Sequence, residues 1–358
     1  MEKQKIPLTI AAGVLLAAVI LFSGFLFRNP RQPEATQTGQ IYLYGELHSQ
    51  DDILEKELEL WQQYYHEYGM RHLFVEKPYY TAQFLNLWME SEDDQILNQV
   101  YEAWDGTQAH SPNVKAFYQE IKKTCPETVF HGTDVGHQRN TIGQEYLKYL
   151  EENGQKDSEQ YQLAQQNIEQ GETFYAEQDD VYRENCMAEN FMAEYDRLTQ
   201  EEGPTDIMGI YGAAHTDPES MNVTGEVPSM AGQIKARYGK RVHPKDLREE
   251  IEPVKTETME LIGKEYTALY FGKVDTSTSS GVRCVEIWQL ENAYEDFKDC
   301  PTGDRFFTDN NFLTPLKEGQ VFVLDFTTTT GEVIRQYYRT DGNTYEGSLC
   351  ANEFLLEE

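Results

Sequence analysis

Two segments far apart in the chain share one design, an apolar strand that breaks at a glycine and is followed by a histidine. The first is residues 41–48, IYLYGELH, and the second is residues 206–215, DIMGIYGAAH. Short apolar runs of this kind are typical of buried parallel strands. Ligands of open α/β sheets bind beyond the carboxyl ends of the strands. The two Gly-x-x-His elements therefore predict one shared pocket.

Strand and helix patterns alternate between and around these segments. Further strands are predicted at residues 72–76 and 128–134, with a short one at 241–243, and helical periodicity occurs at 51–68, 79–101, 113–123, 179–198 and 229–238. This alternation predicts an α/β fold with a mainly parallel sheet flanked by helices. From residue 253 onward, predicted strands at 268–274, 282–288, 320–326 and 332–339, separated by Gly, Asp, Asn and Ser, indicate a β-rich region. The predicted domains are residues 1–40, 41–252 and 253–358.

Residues 6–27 form an uncharged run in which Thr9 and Ser23 are the polar side chains. A helix of this length spans a hydrocarbon core of roughly 30 Å. A cleavable signal peptide is the alternative, but Phe25-Leu26-Phe27 is a poor cleavage site. We expect an uncleaved single-pass membrane anchor, with residues 29–40 as a tether. The positive-inside rule slightly favours a cytoplasmic N-terminus and an extracytoplasmic globular part.

The charge of the chain restricts its partners. With 62 Asp and Glu against 30 Lys and Arg, the formal net charge is −32. This charge repels phosphate backbones, so nucleic-acid binding is not expected. The five cysteines have no CxxC spacing, and Cys284 with Cys300 or Cys350 is the pairing open to an extracytoplasmic domain.

Polar residues at the predicted strand ends are the candidate site residues. Glu46 and His48 point to one side of an extended backbone because they are two residues apart. Glu76 ends the second strand, where a helix-capping or solvated carboxylate is an equal alternative to a functional one. His131, Asp134 and His137 surround the end of the third strand, and of these Asp134 is the preferred site residue. Arg183 shares a helix face with apolar residues, so it either meets an acidic partner or extends its head to water.

The motifs together resemble a known superfamily. Its members include the erythromycin-esterase-like proteins, the TraB/TIKI proteins and the ChaN-type haem-binding lipoproteins. The resemblance covers about residues 41–243 and is carried by Gly45-Glu46-Leu47-His48, a Glu ending the next strand, Gly132-Thr133-Asp134, Arg183-Glu184-Asn185 and Gly212-Ala213-Ala214-His215. The resemblance implies an α/β core whose site contains Glu46, His48, Glu76, Arg183 and His215, with Asp134 as a further candidate.

The resemblance implies hydrolysis of an ester, lactone or peptide bond in a small-molecule or peptide substrate. His48 and His215 with Glu46 or Glu76 can hold a divalent cation such as Mn, Co or Zn, which activates a bound water. Without a metal, His48 oriented by a carboxylate can act as the base. Two alternatives are a haem- or metal-binding extracytoplasmic module without catalysis, and a non-catalytic interaction domain.

Overall fold

The computed structural model describes residues 39–275, 281–345 and 347–356, and its centre is a five-stranded parallel sheet. The strand order is β3-β2-β4-β1-β5. The strands are β1 (Ile41–Glu46), β2 (His72–Pro78), β3 (Val129–Asp134), β4 (Ile207–Gly212) and β5 (Val242–Asp246). Strands β1 and β4 are parallel neighbours, with Gly45 opposite Tyr211 and Glu46 opposite Gly212. The two Gly-x-x-His segments thus leave the same edge of the sheet side by side.

Eight helices of nine or more residues accompany this sheet in the described part of the chain. They are α1 (Asp51–Glu67), α2 (Tyr79–Met89), α3 (Gln95–Ala103), α4 (Pro112–Thr124), α5 (Gln144–Glu152), α6 (Glu159–Glu177), α7 (Asp180–Glu202) and α8 (Met230–Tyr238). The predicted α/β fold with a parallel sheet flanked by helices is confirmed.

Apolar cores cover both faces of the parallel sheet. Alternate residues of a strand point to opposite faces, so Leu73 and Val75 pack into one core while Phe74 packs into the other. Helices α1 to α6 contribute to the first core, and α7 and α8 contribute to the second. Burial on both faces explains why the strands are continuous apolar runs.

The C-terminal region forms a second, antiparallel sheet, as the sequence predicts. Its order is β12-β13-β11-β10-β8-β7-β6, and β9 pairs with β13. The strands are β6 (Lys255–Leu261), β7 (Lys264–Asp275), β8 (Val282–Leu290), β9 (Thr302–Thr308), β10 (Val321–Thr328), β11 (Val333–Arg339), β12 (Thr344–Tyr345) and β13 (Ser348–Phe354), with a short helix α9 (Tyr294–Phe297).

The two sheets contact each other close to β1. Leu47 packs against the apolar core of the antiparallel sheet that contains Phe312 and Phe322. The buried Arg248 donates to Asp246 at the end of β5 and to Asp309 of the C-terminal region, both at 2.6 Å. All described residues belong to one compact unit that begins at Gly39, and the domain division at residue 253 stays a prediction.

The predicted anchor at residues 6–27 and most of the tether lie outside the described residues, so both stay predictions. No helix in the described part of the chain is both long and apolar enough to cross a membrane. All five cysteines lie within the described residues, and each is a free thiol.

A buried histidine pair links β2 to β3. The His72 and His131 rings approach at 3.0 Å, Nδ1 to Nε2, and His131 Nδ1 contacts Glu194 at 2.5 Å. His72 Nε2 lies 3.2 Å from Glu202. Burial, followed by the neighbouring His131 ring, lowers the pKa of His72 below its usual value. The folded protein therefore binds a proton at His72 less readily than the unfolded chain does.

This pair predicts an acid-sensitive contribution to folding. Because the unfolded state takes up the proton, His72 should lower the free energy of unfolding as the pH drops below about 6.5, the unperturbed pKa of histidine. This contribution is opposite in sign to those of His48 and His215, whose pKa values are raised in the folded protein. Urea unfolding at pH 5, 6 and 7 measures the effect. Compared with the wild type, His72→Gln should lose less stability, or gain more, between pH 7 and pH 5, whereas the exposed His66→Gln should follow the wild type. Equal slopes in all three proteins would contradict the assignment.

Candidate active site

A cavity of about 330 Å³ lies beyond the carboxyl ends of the central strands. Its polar wall contains five of the predicted site residues, listed here in chain order: Glu46, His48, Glu76, Asp134 and Arg183. The sixth, His215, lies behind Glu76 and contacts the same carboxylate. The parallel sheet therefore brings all six predicted residues together, although their roles stay predictions.

His48 and Glu46 form the first imidazole–carboxylate pair. Nδ1 of His48 hydrogen-bonds Oε1 of Glu46, while Nε2 faces Glu76 Oε1 at 3.9 Å. The His48 side chain is 40% exposed and lines the cavity, so it is open to a substrate. The Glu46 carboxylate, above all by its charge, raises the pKa of His48 to about 9. In the neutral ring, Nδ1–H donates to Glu46 and the Nε2 lone pair is available.

His215 and Glu184 form a second pair of the same kind. Nδ1 of His215 lies 2.6 Å from Glu184 Oε2, and Nε2 faces Glu76 Oε1 at 3.8 Å. Glu184 is itself held at the start of α8, where its Oε1 accepts from the Met230 amide. Burial opposes protonation of His215, but the Glu184 hydrogen bond and the Glu76 charge raise its pKa above the usual value. Its side chain is only 11% exposed.

Glu76 is the acid that both imidazoles share. Its Oε1 accepts from Arg183 Nη2 at 2.7 Å, and its Oε2 accepts from the Gly212 amide at 2.6 Å. Burial alone would raise the pKa of Glu76, but His215, His48 and Arg183 together lower it to about 2. The site therefore contains a permanent carboxylate with one imidazole on each side.

Asp134 completes the polar wall by holding Arg183. The guanidinium donates from Nε and Nη2 to the two Asp134 oxygens, at 3.0 and 2.7 Å. His137 also contacts Asp134, at 2.9 Å, and its other ring nitrogen meets Tyr175 OH at 2.6 Å. Burial raises the pKa of Asp134, but Arg183 and His137 outweigh it and hold that pKa well below the usual range. This bidentate geometry fixes the guanidinium.

Close packing excludes a side chain at the glycine of the first Gly-x-x-His element and leaves little room for one at the second. A Cβ on Gly45 would lie 2.3 Å from Thr216 Oγ1, in the loop that carries His215. A Cβ on Gly212 would lie 3.3 Å from Glu76 Oε2 and 3.4 Å from His48 Cε1. Gly45 lets the first element approach the loop that carries His215, and Gly212 lets the second approach Glu76 and His48. Close approach is therefore a physical reason for the glycine in both copies of the motif.

Three site residues were not assigned a role from the sequence. Glu184 follows Arg183 on α7, and residues adjacent on a helix point in different directions, so sequence alone does not show which faces the site. His137 lies in a loop without a pattern. Glu57 carried a signal, because its carboxyl interrupts the apolar stripe of α1 formed by Ile53, Leu54 and Trp61.

The donor set fits an imidazole-based site better than a metal site. Glu46 contacts Nδ1 of His48, on the side of the ring away from the Nε2 atom that faces Glu76. Arg183 Nη2 lies 2.7 Å from Glu76 Oε1. A metal ion bound to that oxygen would therefore lie next to the positive charge of the guanidinium. In the chain as described, no group of three or more His, Cys, Asp or Glu side chains could hold a metal ion. The predicted divalent metal stays a prediction.

No family model matches this sequence, and no curated protein matches it. Several solved structures are weakly similar. A Bacillus cereus protein and a succinoglycan biosynthesis protein have 14% and 15% identity, with TM-scores of 0.38 and 0.39, and each match covers 57% of this chain and 64% of theirs. A mutant erythromycin esterase in its open conformation has 10% identity and a TM-score of 0.42, covering 70% of this chain and 82% of that one.

Arg183 is predicted to be a major contributor to stability. Arg183→Gln leaves Glu76 and Asp134 buried without their cation, and breaking a buried pair costs about 3–5 kcal/mol. Urea unfolding at pH 7 measures the loss. The matched control is Arg237→Gln, whose partner Asp196 is a surface carboxylate and whose pair contributes about 0–1 kcal/mol. Similar losses in the two variants would show that the guanidinium does not hold the site together.

Proposed function

We propose that this protein hydrolyses a carboxylic ester or lactone with a water that His48 activates. The observation that carries the proposal is the arrangement of the two imidazoles. Each has Nδ1 tied to its own carboxylate, and each turns Nε2 toward the same Glu76 oxygen, at 3.9 and 3.8 Å. Separations of this size exceed a direct hydrogen bond and suit a bridging water. His48 is the imidazole that lines the cavity.

In the proposed reaction, one proton moves from water to His48 and then from His48 to the leaving oxygen. Nε2 of neutral His48 takes a proton from water as the water oxygen bonds to the substrate carbonyl carbon and the π pair moves to oxygen. The tetrahedral intermediate re-forms the carbonyl and breaks the bond to the leaving oxygen. That oxygen takes the proton from Nε2, which leaves an acid and an alcohol. Glu46 keeps Nδ1 protonated and stabilises the imidazolium.

The other polar residues position and stabilise these groups. Glu76 stays ionised and orients a water between the rings, and Arg183 holds Glu76 through the contact at 2.7 Å. Arg183 is therefore a positioning residue in this mechanism, and not the direct oxyanion donor. Lys77 also lines the cavity and supplies positive charge against the oxyanion.

The pKa of His48 predicts the pH dependence of hydrolysis. A base must be unprotonated, so kcat/KM for phenyl acetate should rise roughly tenfold per pH unit from neutrality and level off near pH 9. His48→Gln should lower kcat/KM by about 10²–10⁴-fold. His66→Gln, an exposed histidine on α1, serves as the control and should keep both the rate and the profile. A flat profile in the wild type would contradict His48 as the base.

Treatment with a chelator distinguishes this mechanism from one that uses the predicted metal-bound water. Because Arg183 shares the Glu76 oxygen, we expect hydrolysis to survive dialysis against a chelator, with elemental analysis confirming that the sample is metal-free. Loss of activity that Mn, Co or Zn restores would instead support the metal. A Soret band after haem addition, lost in both His48→Ala and His215→Ala, would support the haem-binding alternative.

A further inference from the structure

One part of the cavity is not used by the reaction. It is an apolar wall, formed by six residues from α1, α4, β4 and the end of α3: Leu54, Trp104, Val114, Phe117, Tyr118 and Ile210. These side chains line the same cavity as His48 and Glu76. An apolar lining with few polar groups is typical of pockets that bind organic molecules. The apolar wall is therefore suited to the hydrocarbon portion of a substrate.

Glu57 is the one carboxyl group set among this apolar wall. It lies on α1, one turn after Leu54, and it lines the cavity although the residue as a whole is 2% exposed. Its Oε1 atom is buried and has no hydrogen-bond partner in the described part of the chain. The other acids of the cavity, Glu46, Glu76 and Asp134, are each paired with a histidine or Arg183.

An unpaired buried carboxyl group opposes folding. Nearly all buried polar groups in proteins have partners, and those without one need a specific explanation. A leucine at this position would extend the stripe of Ile53, Leu54 and Trp61 and would remove the unpaired oxygen. Packing of α1 thus gives no reason for a glutamate here, whereas a ligand that completes its hydrogen bonding does.

The protonation state of Glu57 narrows the chemistry of that ligand. Burial, reinforced by the nearby Glu46 charge and opposed by Lys77, raises the pKa of Glu57 well above its usual range. Burial therefore favours the protonated carboxyl, which presents an O–H donor. A cationic amine would have to ionise it and bury both charges, and such a pair seldom repays its desolvation.

We propose that Glu57 is a specificity residue that donates a hydrogen bond to an uncharged oxygen of the substrate, an ether, hydroxyl or carbonyl, on a hydrocarbon group packed against the apolar wall. The inference rests on the proposed function in one respect, namely that the bound molecule is the ester or lactone that is cleaved. The cavity volume of about 330 Å³ is at the small end for ligand pockets, so the group it holds is compact.

Binding of methyl ketones tests the proposal without turnover. Calorimetry on the full chain compares methoxy-substituted alkan-2-ones, with the ether oxygen at successive positions, against unbranched alkan-2-ones of equal chain length. At least one methoxy ketone should bind about tenfold more tightly than its hydrocarbon match, the effect of one good hydrogen bond. The ω-amino ketone of the same length is the cationic comparison.

Two substitutions at one position and one control complete the design. Glu57→Gln keeps a neutral donor and should retain most of the methoxy preference. Glu57→Leu should reduce the affinity ratio to about one while raising the melting temperature, which also shows that the variant folds. Glu55→Leu, exposed on the same helix, should bind as the wild type does. A merely structural role for Glu57 would leave the affinity ratio unchanged.

The outcomes that overturn the inference are distinct. Absence of any methoxy preference in the wild type, or its persistence in Glu57→Leu, would remove Glu57 from recognition. If the amino ketone binds most tightly and Glu57→Gln abolishes that binding, the group that Glu57 recognises is a cation and not an uncharged oxygen. Failure of the proposed hydrolysis would appear separately, as no ester turnover in a protein that still prefers methoxy ketones.

Discussion

The site depends on keeping one carboxylate, Glu76, ionised inside the protein. A buried charge without partners would take up a proton instead. Arg183 and the two imidazoles prevent this, and Asp134 in turn prevents the guanidinium from moving. Each of these residues comes from a different strand, loop or helix. The parallel sheet brings Arg183 and the two imidazoles within 4 Å of one Glu76 oxygen and places Asp134 against the guanidinium.

The shared contact with Glu76 explains why the surroundings of the two imidazoles are similar. The two rings nevertheless differ in exposure. Both rings are tied through Nδ1 to a glutamate and both turn Nε2 to Glu76. Their exposure differs, because His48 lines the cavity while His215 lies behind Glu76 against α8. Similar chemical surroundings are therefore combined with different accessibility, and the proposed function assigns the substrate to His48 and the maintenance of the Glu76 charge to His215.

Most of the α/β fold is predictable from the sequence because two-sided burial makes its strands continuous apolar runs. The antiparallel sheet is less predictable. Strands such as β6, KTETMEL, and β9, TGDRFFT, are largely exposed and polar, so they lack the apolar signal, and the sequence patterns did not identify them. For the site, strand-end positions identified Glu46, His48, Glu76, Asp134 and His215. The partner of His215, Glu184, depends on how α7 packs, which local patterns do not contain.

Leu47 connects the C-terminal sheet to the candidate site. It stands between Glu46 and His48, yet its side chain packs with the apolar core of the antiparallel sheet around Phe312 and Phe322. The short loop that pairs the imidazole with its glutamate is therefore anchored from outside the parallel sheet. A displacement of the C-terminal region would therefore act on this loop through Leu47, and with it on the geometry of the Glu46–His48 pair. The C-terminal sheet thus supports the loop that carries His48, although its strands lie outside the parallel sheet.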